Sequence, residues 1–557
     1  MHRGLLALAL SLACSAAAAA DPAPVHFQID PQQGVKPISR FVYGVNGALT
    51  GGFANGAFTR IGGNRLTAYN WENNASNAGT DWLNQNDELL SSSDTPGEAL
   101  RPGIAAAQAK NAGIVVTVPI NGYVAADKNG GGDVNQTPNY LQVRFKQELP
   151  AKGAPFTLTP DPSDAFVYQD EFVNWVNHEF PGAQDPAHPV FYCLDNEPDL
   201  WPSTHPRIHP DPTSYAELAQ KTLAYATAIK NVSPAALIFG PVSYGWYGYT
   251  TLQGAPDAAG RDFLEFWLAS VAAAEQSAGR RLVDVLDVHW YPEAQGGGVR
   301  ITGTDTSAAV VAARVQAPRS LWDPTYTETS WITQYSTLGP IRLIPRLLDK
   351  IAANDPGARL AITEYNYGGG GHISGGLAEA DALGIFGREG VFAASEWPLA
   401  GDESYIAGAF RMFRSFDGAS GAFGDASIQA TTDDVAATSI YASADSGDPQ
   451  RLVLVALNKT ASPLAAAFQV AAAGPLTGAH VYQLTGASAS PVDAGALALT
   501  GGASFLYTLP AYSVNTLVLS VPEPAGGAAA AFAALLLLLS RRRARYSSDS
   551  RSFASTL

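Results

Sequence analysis

From residue 59 to residue 395 the chain alternates two patterns. Short runs, most of them apolar at nearly every position, fall at 59–61, 114–120, 190–194, 237–241, 285–290, 360–365 and 391–395, and stretches with helical spacing separate them. A run without polar alternate positions predicts a strand buried on both faces, as in a parallel sheet. The stretches between carry helix starts. Ser214-x-x-Glu217 is a capping box that opens a helix to about Lys230. Asp262 starts another, with Phe263, Trp267 and Val271 along one face. Regular alternation of strand and helix predicts an α/β chain whose strands close into a barrel rather than an open sheet.

From about Ala436 the pattern changes. Segments at 452–457, 479–484, 505–509 and 514–519 are short, spaced by Gly, Ser and Pro turns, with no helix between them. They predict a small antiparallel β-sandwich. A strand-like piece at 26–30 is expected to pair into it from the other end of the chain.

Both ends read as targeting segments. Met1-His2-Arg3, an apolar run at 5–13 and small residues at 16–20 before Asp21 make a secretory signal peptide cleaved after Ala20. Val521-Pro522-Glu523-Pro524 precedes an apolar run at 525–539 and then Arg541-Arg542-Arg543-Ala544-Arg545. That run reads as a transmembrane segment with the arginines as its cytoplasmic stop. The arrangement resembles the PEP-CTERM sorting tail of bacterial exported proteins, which implies a sorting enzyme acting at Pro-Glu-Pro and a protein exported to the cell envelope or secreted after processing. An ordinary C-terminal membrane anchor is the other reading. The chain thus divides into a leader at 1–20, a strand segment at 21–35, a barrel at 36–430, a sandwich at 431–520 and a tail at 521–557.

Composition narrows the function. With 46% hydrophobic and 15% charged residues, a chain this long is no disordered protein. Its 34 Lys+Arg against 50 Asp+Glu give a net charge of −16, which argues against a nucleic-acid partner. Loss of the leader and tail would remove Arg3 and the arginine cluster, leaving a still more acidic body suited to a neutral substrate. Of the two cysteines, Cys14 lies in the leader, so Cys193 has no partner for an internal disulfide and is expected to be a buried, inert thiol. Gly368 to Gly371 follow a strand but lack a phosphate-binding pattern.

The informative chemistry is a pair of glutamates, each at the C-terminal end of an apolar run: Glu197 in Asp195-Asn196-Glu197-Pro198 and Glu364 in Thr363-Glu364-Tyr365-Asn366. In a barrel the C-terminal strand ends form the active face, so both carboxylates are expected in one cleft. Glycosidic cleavage needs such a pair, one protonated to supply the leaving oxygen and one ionised to meet an oxocarbenium-like carbon. A separation of about 5–5.5 Å lets the second attack directly and retains configuration, while a wider gap admits a water and inverts it. The spacing along the sequence leaves that choice open. The bland alternative for either residue alone is a structural salt bridge.

The residues around the pair are similar to glycoside hydrolase family 44. The strings are Tyr192-Cys193-Leu194-Asp195-Asn196-Glu197-Pro198, Asp284-Val285-Leu286-Asp287-Val288-His289-Trp290-Tyr291-Pro292 and Thr363-Glu364-Tyr365-Asn366-Tyr367-Gly368-Gly369. Arg60-Ile61-Gly62-Gly63-Asn64-Arg65, Tyr69-Asn70-Trp71-Glu72-Asn73-Asn74 and Gly384-Ile385-Phe386-Gly387-Arg388-Glu389-Gly390-Val391 extend the likeness over about residues 40 to 520. The resemblance implies a (β/α)8 TIM-like barrel with a β-sandwich, acting as a retaining endo-β-1,4-glucanase or xyloglucanase. It implies Glu197 as general acid/base and Glu364 as nucleophile. Asn196 is then expected to hydrogen-bond the sugar hydroxyl beside the reacting carbon, and Tyr291 and His289 to steer the nucleophile. Arg60 is expected to keep Glu364 ionised, and Asn64 to join the substrate-binding set.

A glucan presents flat sugar faces, so aromatic platforms are expected in its cleft. Trp71, Trp201, Trp290, Trp331 and Trp397 fall near strand ends, and Trp71, Trp331 and Trp397 are preferred because polar neighbours surround them. A catalytic metal is not expected: His205 and His209 have i, i+4 spacing, but Pro206 and Pro210 disfavour the helix that would align them. No cofactor is required, and a structural calcium in the Asp/Asn-rich loop at 127–135 is left open. The reading is a monomeric enzyme on a β-glucan. The alternatives are a xylanase or mannanase on the same scaffold, or a surface carbohydrate-binding protein without turnover.

Overall fold

The computed structural model describes residues 24–521 apart from 400, 472–474 and 500–501. The leader at 1–20 and the tail from Pro522 onward lie outside the described residues. Among the described residues no helix is long and apolar enough to cross a membrane.

After a first strand, β1 (Val25–Asp30), eight parallel strands close into a barrel in chain order: β2 (Gly44–Asn46), β3 (Phe58–Ile61), β4 (Gly113–Val118), β5 (Val190–Leu194), β6 (Ile238–Ser243), β7 (Val285–Trp290), β8 (Arg359–Tyr365) and β9 (Ala393–Glu396). Strand β9 pairs back onto β2. The longer helices are α1 (Arg101–Ala109), α2 (Gln169–Glu179), α3 (Tyr215–Val232), α4 (Phe263–Ala278), α5 (Ala308–Gln316), α6 (Leu343–Asn354), α7 (Ile373–Glu389) and α8 (Ser404–Arg414). The Ser214 and Asp262 side chains each accept the N–H three residues on and cap α3 and α4.

Inside the barrel, Phe58, Val115, Phe191, Phe239, Val285, Ala361 and Ala393 make a closed apolar floor. Alternate residues of the same strands, such as Tyr192, Leu194, Leu286, Val288 and Ile362, point outward into the larger core shared with the helices. The sequence missed β2, which is only three residues long and has no readable period. Its Gly44 is needed on packing grounds, since a Cβ there would lie 2.4 Å from the Ala394 carbonyl oxygen.

The second unit begins at β10 (Ala426–Thr432) and continues through β11 (Thr438–Asp445), β12 (Asp448–Asn458), β13 (Leu464–Val470), β14 (Gly478–Thr485), β15 (Ser488–Ala496), β16 (Ser504–Leu509) and β17 (Ser513–Ser520). Its strand order is β15-β14-β17-β12-β11-β10-β1-β13-β16. Ala426 to Ile428 of β10 pair with β11, and Gln429 to Thr432 pair with β1, so this strand passes from one layer to the other. The layers enclose Phe27, Ile29, Ile428, Leu454, Phe468 and Leu517. The pairing is antiparallel except that β1 runs parallel to β13. A strand arriving from outside the hairpin sequence is free to take that direction.

The two units share one core. Tyr441, Val453, Val455, Leu457, Leu484 and Val514 of the sandwich belong to the apolar cluster of the barrel and its helices. Tyr441 also donates to Asp381 of α7 at 2.6 Å, and Lys459 pairs with the same carboxylate at 2.8 Å. A Cβ at Gly384 of α7 would lie 2.2 Å from the Tyr441 ring, so this contact needs glycine.

Candidate active site

Two carboxylates meet at the C-terminal mouth of the barrel. Glu197 stands just beyond β5 on a tight turn in which Asp195 (φ +68°) and Glu197 (φ +44°) both take the left-handed conformation. Such a turn is unfavourable for ordinary side chains and must be held by its surroundings. Asp195, fully buried, accepts from the Thr67 hydroxyl, the Ile120 and Asn196 amides and the Trp201 indole. The Glu197 amide donates to the Val242 carbonyl at 3.0 Å. Val242 is itself a buried β-branched residue at φ +59°, in the irregularity where β6 carries an extra residue against β7.

Glu364 lies on β8, 5% exposed. Arg60, on β3, donates through one terminal nitrogen to Glu364 and through the other to Asn196 at 2.7 Å, so one guanidinium fork holds β8 and the turn that follows β5. The Tyr291 hydroxyl donates to the second oxygen of Glu364 at 2.9 Å. His289 Nδ1 is 2.8 Å from Glu197 Oε1 and 3.5 Å from Glu364 Oε2. One oxygen of each glutamate and a ring nitrogen of His289 all lie within 4.8 Å of one another.

The environments of these groups differ. Burial pushes the Glu197 carboxyl up to about 7; Arg60 opposes this and Asp81 adds to it. Burial pushes His289 down to about 3, so the ring between the glutamates is neutral at ordinary pH. Burial likewise raises Asp287, deeper in the barrel, to about 7. A carboxyl that keeps its proton to about pH 7 thus faces a second carboxylate that receives a charge-assisted hydrogen bond. The gap between them fits direct attack on a sugar carbon better than attack by an interposed water.

Of the residues singled out from sequence, Glu197, Glu364, Arg60, Asn196, His289 and Tyr291 form this connected group. Asn64 is its outer neighbour, accepting from Asn196 at 3.2 Å and donating to the exposed Asp81. Trp397 is half-buried beside the site, and a Cβ at Gly63 would lie 2.8 Å from its ring. Trp331 is also half-buried and stacks on Tyr247 with ring centroids 4.4 Å apart.

Trp71 must be reassigned from platform to core. It is 1% exposed and packs against Phe172 and Trp175. Its polar sequence neighbours misled: Asn74 is buried and ties the loop to Ser93 and Thr95, and Glu72 is buried against Lys146. Trp201 and Trp290 are buried as well. In the loop at 127–135, Asp127 is engaged by Arg144 and Asp133 by Arg207, so both carboxylates already have a cationic partner. His209 pairs with Glu217 at 2.8 Å.

Three residues near the site escaped the sequence reading. Asn46 on the unread strand β2 accepts from Arg60 at 3.2 Å. Asp81 lies in a loop with no periodic pattern. Asp287 sits in the same apolar run as His289, where inward alternation from His289 was the available signal.

A Glycoside hydrolase family 44 sequence profile matches residues 75–294. Endoglucanase A of Paenibacillus lautus is 41% identical over 533 residues, covering 92% of this chain and 75% of that protein. The β-mannanase/endoglucanase A of Caldicellulosiruptor saccharolyticus is 42% identical over 465 residues, covering 78% of this chain and 34% of that protein. In structure, a Paenibacillus polymyxa xyloglucanase from GH family 44, solved with xyloglucan, superposes with a TM-score of 0.85 at 38% identity, covering 89% of this chain and all of that one.

Proposed function

This chain belongs to glycoside hydrolase family 44, and from that premise we propose that its substrate is a β-1,4-glucan, cellulosic or xyloglucan, with Glu197 as general acid/base and Glu364 as nucleophile. The protein is a retaining, endo-acting glycosidase. The observation that carries the assignment is the pair of carboxyls within 4.8 Å, with Glu197 pushed up to about 7 and Glu364 held by Arg60 and Tyr291.

Glu197 protonates the departing oxygen while Glu364 attacks the anomeric carbon. In the glycosyl-enzyme that results, Glu197 is ionised and takes a proton from the incoming water, which releases the sugar with its configuration retained. No step needs a cofactor. Asn196 has an amide hydrogen beyond the one given to Asn64, and we assign it to a sugar hydroxyl. Trp331 with Tyr247, and Trp397, supply flat apolar faces for the chain. Glu364→Ala and Glu197→Gln are expected to fold and bind cello-oligosaccharide but to lose at least ~10³ in kcat. Near-normal turnover by either, or inverted products seen by NMR, would overturn the roles.

The name of the Caldicellulosiruptor relative favours a second reading in which mannan is also cleaved. Comparison of cellohexaose with mannohexaose decides it, since no mannohexaose cleavage removes that reading. We further propose export through the leader and envelope attachment or release through the tail at Pro522-Glu523-Pro524. The mass of the mature protein tests this, and a chain retaining residues 1–20 from a cell extract would contradict it.

A further inference from the structure

The direction of Glu364 depends on an extra residue in its strand. Along β7 and β8 the pairing runs Val285 with Arg359 through Val288 with Ile362, and then resumes as His289 with Glu364 and Trp290 with Tyr365. Thr363 is left over. The pairing of β8 with β9 shifts over the same residues, between Ile362 and Tyr365, so β8 bulges against both neighbours.

The bulge changes which way side chains point. Ala361 faces the barrel interior and Ile362 the outer core. Strict alternation would send Thr363 inward, Glu364 outward and Tyr365 inward. In the structure Thr363 and Glu364 both face the interior, bonding Asp287 and Arg60, while Tyr365 points outward and donates to Glu379 of α7 at 2.6 Å. Without the extra residue the carboxylate would lie among the helices, away from Glu197.

An unpaired residue at the centre of a barrel leaves polar backbone groups to be satisfied. Asp287, fully buried, accepts the Thr363 hydroxyl at 2.8 Å on one oxygen and the Thr363 amide at 3.3 Å on the other. Asn46 donates to the Thr363 carbonyl at 2.9 Å. The hydroxyl, amide and carbonyl of Thr363 are thus each met by a side chain from another barrel strand, Asp287 on the adjacent β7 and Asn46 on β2, one strand further round. A carboxyl is costly in this position, and it stands where two acceptor oxygens meet the two donors of the bulged residue.

We propose that Asp287 is a positioning residue for the reaction: by occupying the Thr363 bulge it fixes the direction in which Glu364 faces the anomeric carbon. The inference rests on Glu364 being the nucleophile. It places the effect of Asp287 on formation of the glycosyl-enzyme rather than on substrate binding, because Asp287 lies below the mouth of the barrel and Glu364 stands between.

The test is time-dependent inactivation by an activated 2-deoxy-2-fluoro-β-cellobioside, which reads the rate of covalent trapping separately from the inhibitor's binding constant. Asp287→Asn is expected to trap about 10–100-fold more slowly with binding unchanged within about threefold, the scale of a reacting atom displaced by an ångström. Thr363→Val should slow trapping in the same way, Thr363→Ser should restore it, and the Asp287→Asn/Thr363→Val pair should be no slower than Asp287→Asn alone, as for two residues acting through one contact. Trapping at the normal rate in Thr363→Val, or a loss in Asp287→Asn confined to binding, overturns the proposal even if Asp287→Asn proves poorly folded. Glu364→Ala run alongside separates the two readings. If it is trapped, Glu364 is not the nucleophile; if it is inert while Thr363→Val behaves as wild type, only the positioning role fails.

Discussion

Arg60 and Asp81 act on Glu197 with opposite sign. Arg60, buried beneath the mouth, favours the ionised carboxylate, whereas Asp81 on the rim disfavours it. Glu197 must carry its proton in the first step, so activity is expected to fall as pH rises through about 7. Burial is the main cause of the raised Glu197 pKa, and Asp81→Asn removes the smaller charge contribution that adds to it. The alkaline limb of kcat/KM should then move to lower pH while the acidic limb stays in place. A limb that does not move, or that moves upward, would show that Asp81 does not act on this proton. Of the residues in this balance, Glu197 and Arg60 were legible from sequence because each sits in a motif at a strand end. Asp81 was not, since only the folded loop brings it beside Asn64.

At the level of elements, the legible parts were those whose own residues determine them. A run buried on both faces reads as a strand wherever it stands, and seven runs correspond to barrel strands β3 to β9. The capping residues Ser214 and Asp262 are local signals and are found as caps. The illegible parts are relations between elements. The bulges at Val242 and Thr363 are differences of register between two strands, and neither strand contains that information alone. Trp71 is illegible for the same reason: a tryptophan among asparagines looks exposed until Asn74 is seen tying down a neighbouring loop and α2 is seen placing Phe172 and Trp175 against the ring.

At the scale of the whole molecule, several buried acids lie outside the catalytic pair. Glu148 and Glu379 are both raised to about 8 by burial, each taking a tyrosine hydroxyl at 2.6 Å, and Asp287 is raised to about 7. An acid whose pKa is higher in the folded chain than in the unfolded one keeps its proton on folding. Its contribution is most favourable below the unfolded value and is lost as pH rises to the folded one. These groups therefore make the protein progressively less stable as pH rises from about 4.5 to about 8. Glu379→Gln, which does not titrate, should lose less Tm than the wild type between pH 5 and pH 8. An equal or steeper loss in the variant would mean that Glu379 is not a source of the slope. The shared core of barrel and sandwich, through Tyr441 and Val455, spreads such a loss over both units.

Strand β1 comes before the whole barrel in the chain, yet its partners at 429–432 and 466–470 come after it. The barrel strands find their neighbours in order as the chain lengthens, but β1 has to wait, its apolar Phe27 and Ile29 uncovered, until roughly four hundred further residues have followed it. Its pairing is a check on completeness. A chain that ends before β10 leaves β1 with neither partner, an orphaned strand edge of the kind that aggregates or is captured by proteolysis. The two-sided seat that β10 and β13 make for β1 thus lets the finished molecule hide what an unfinished one must expose.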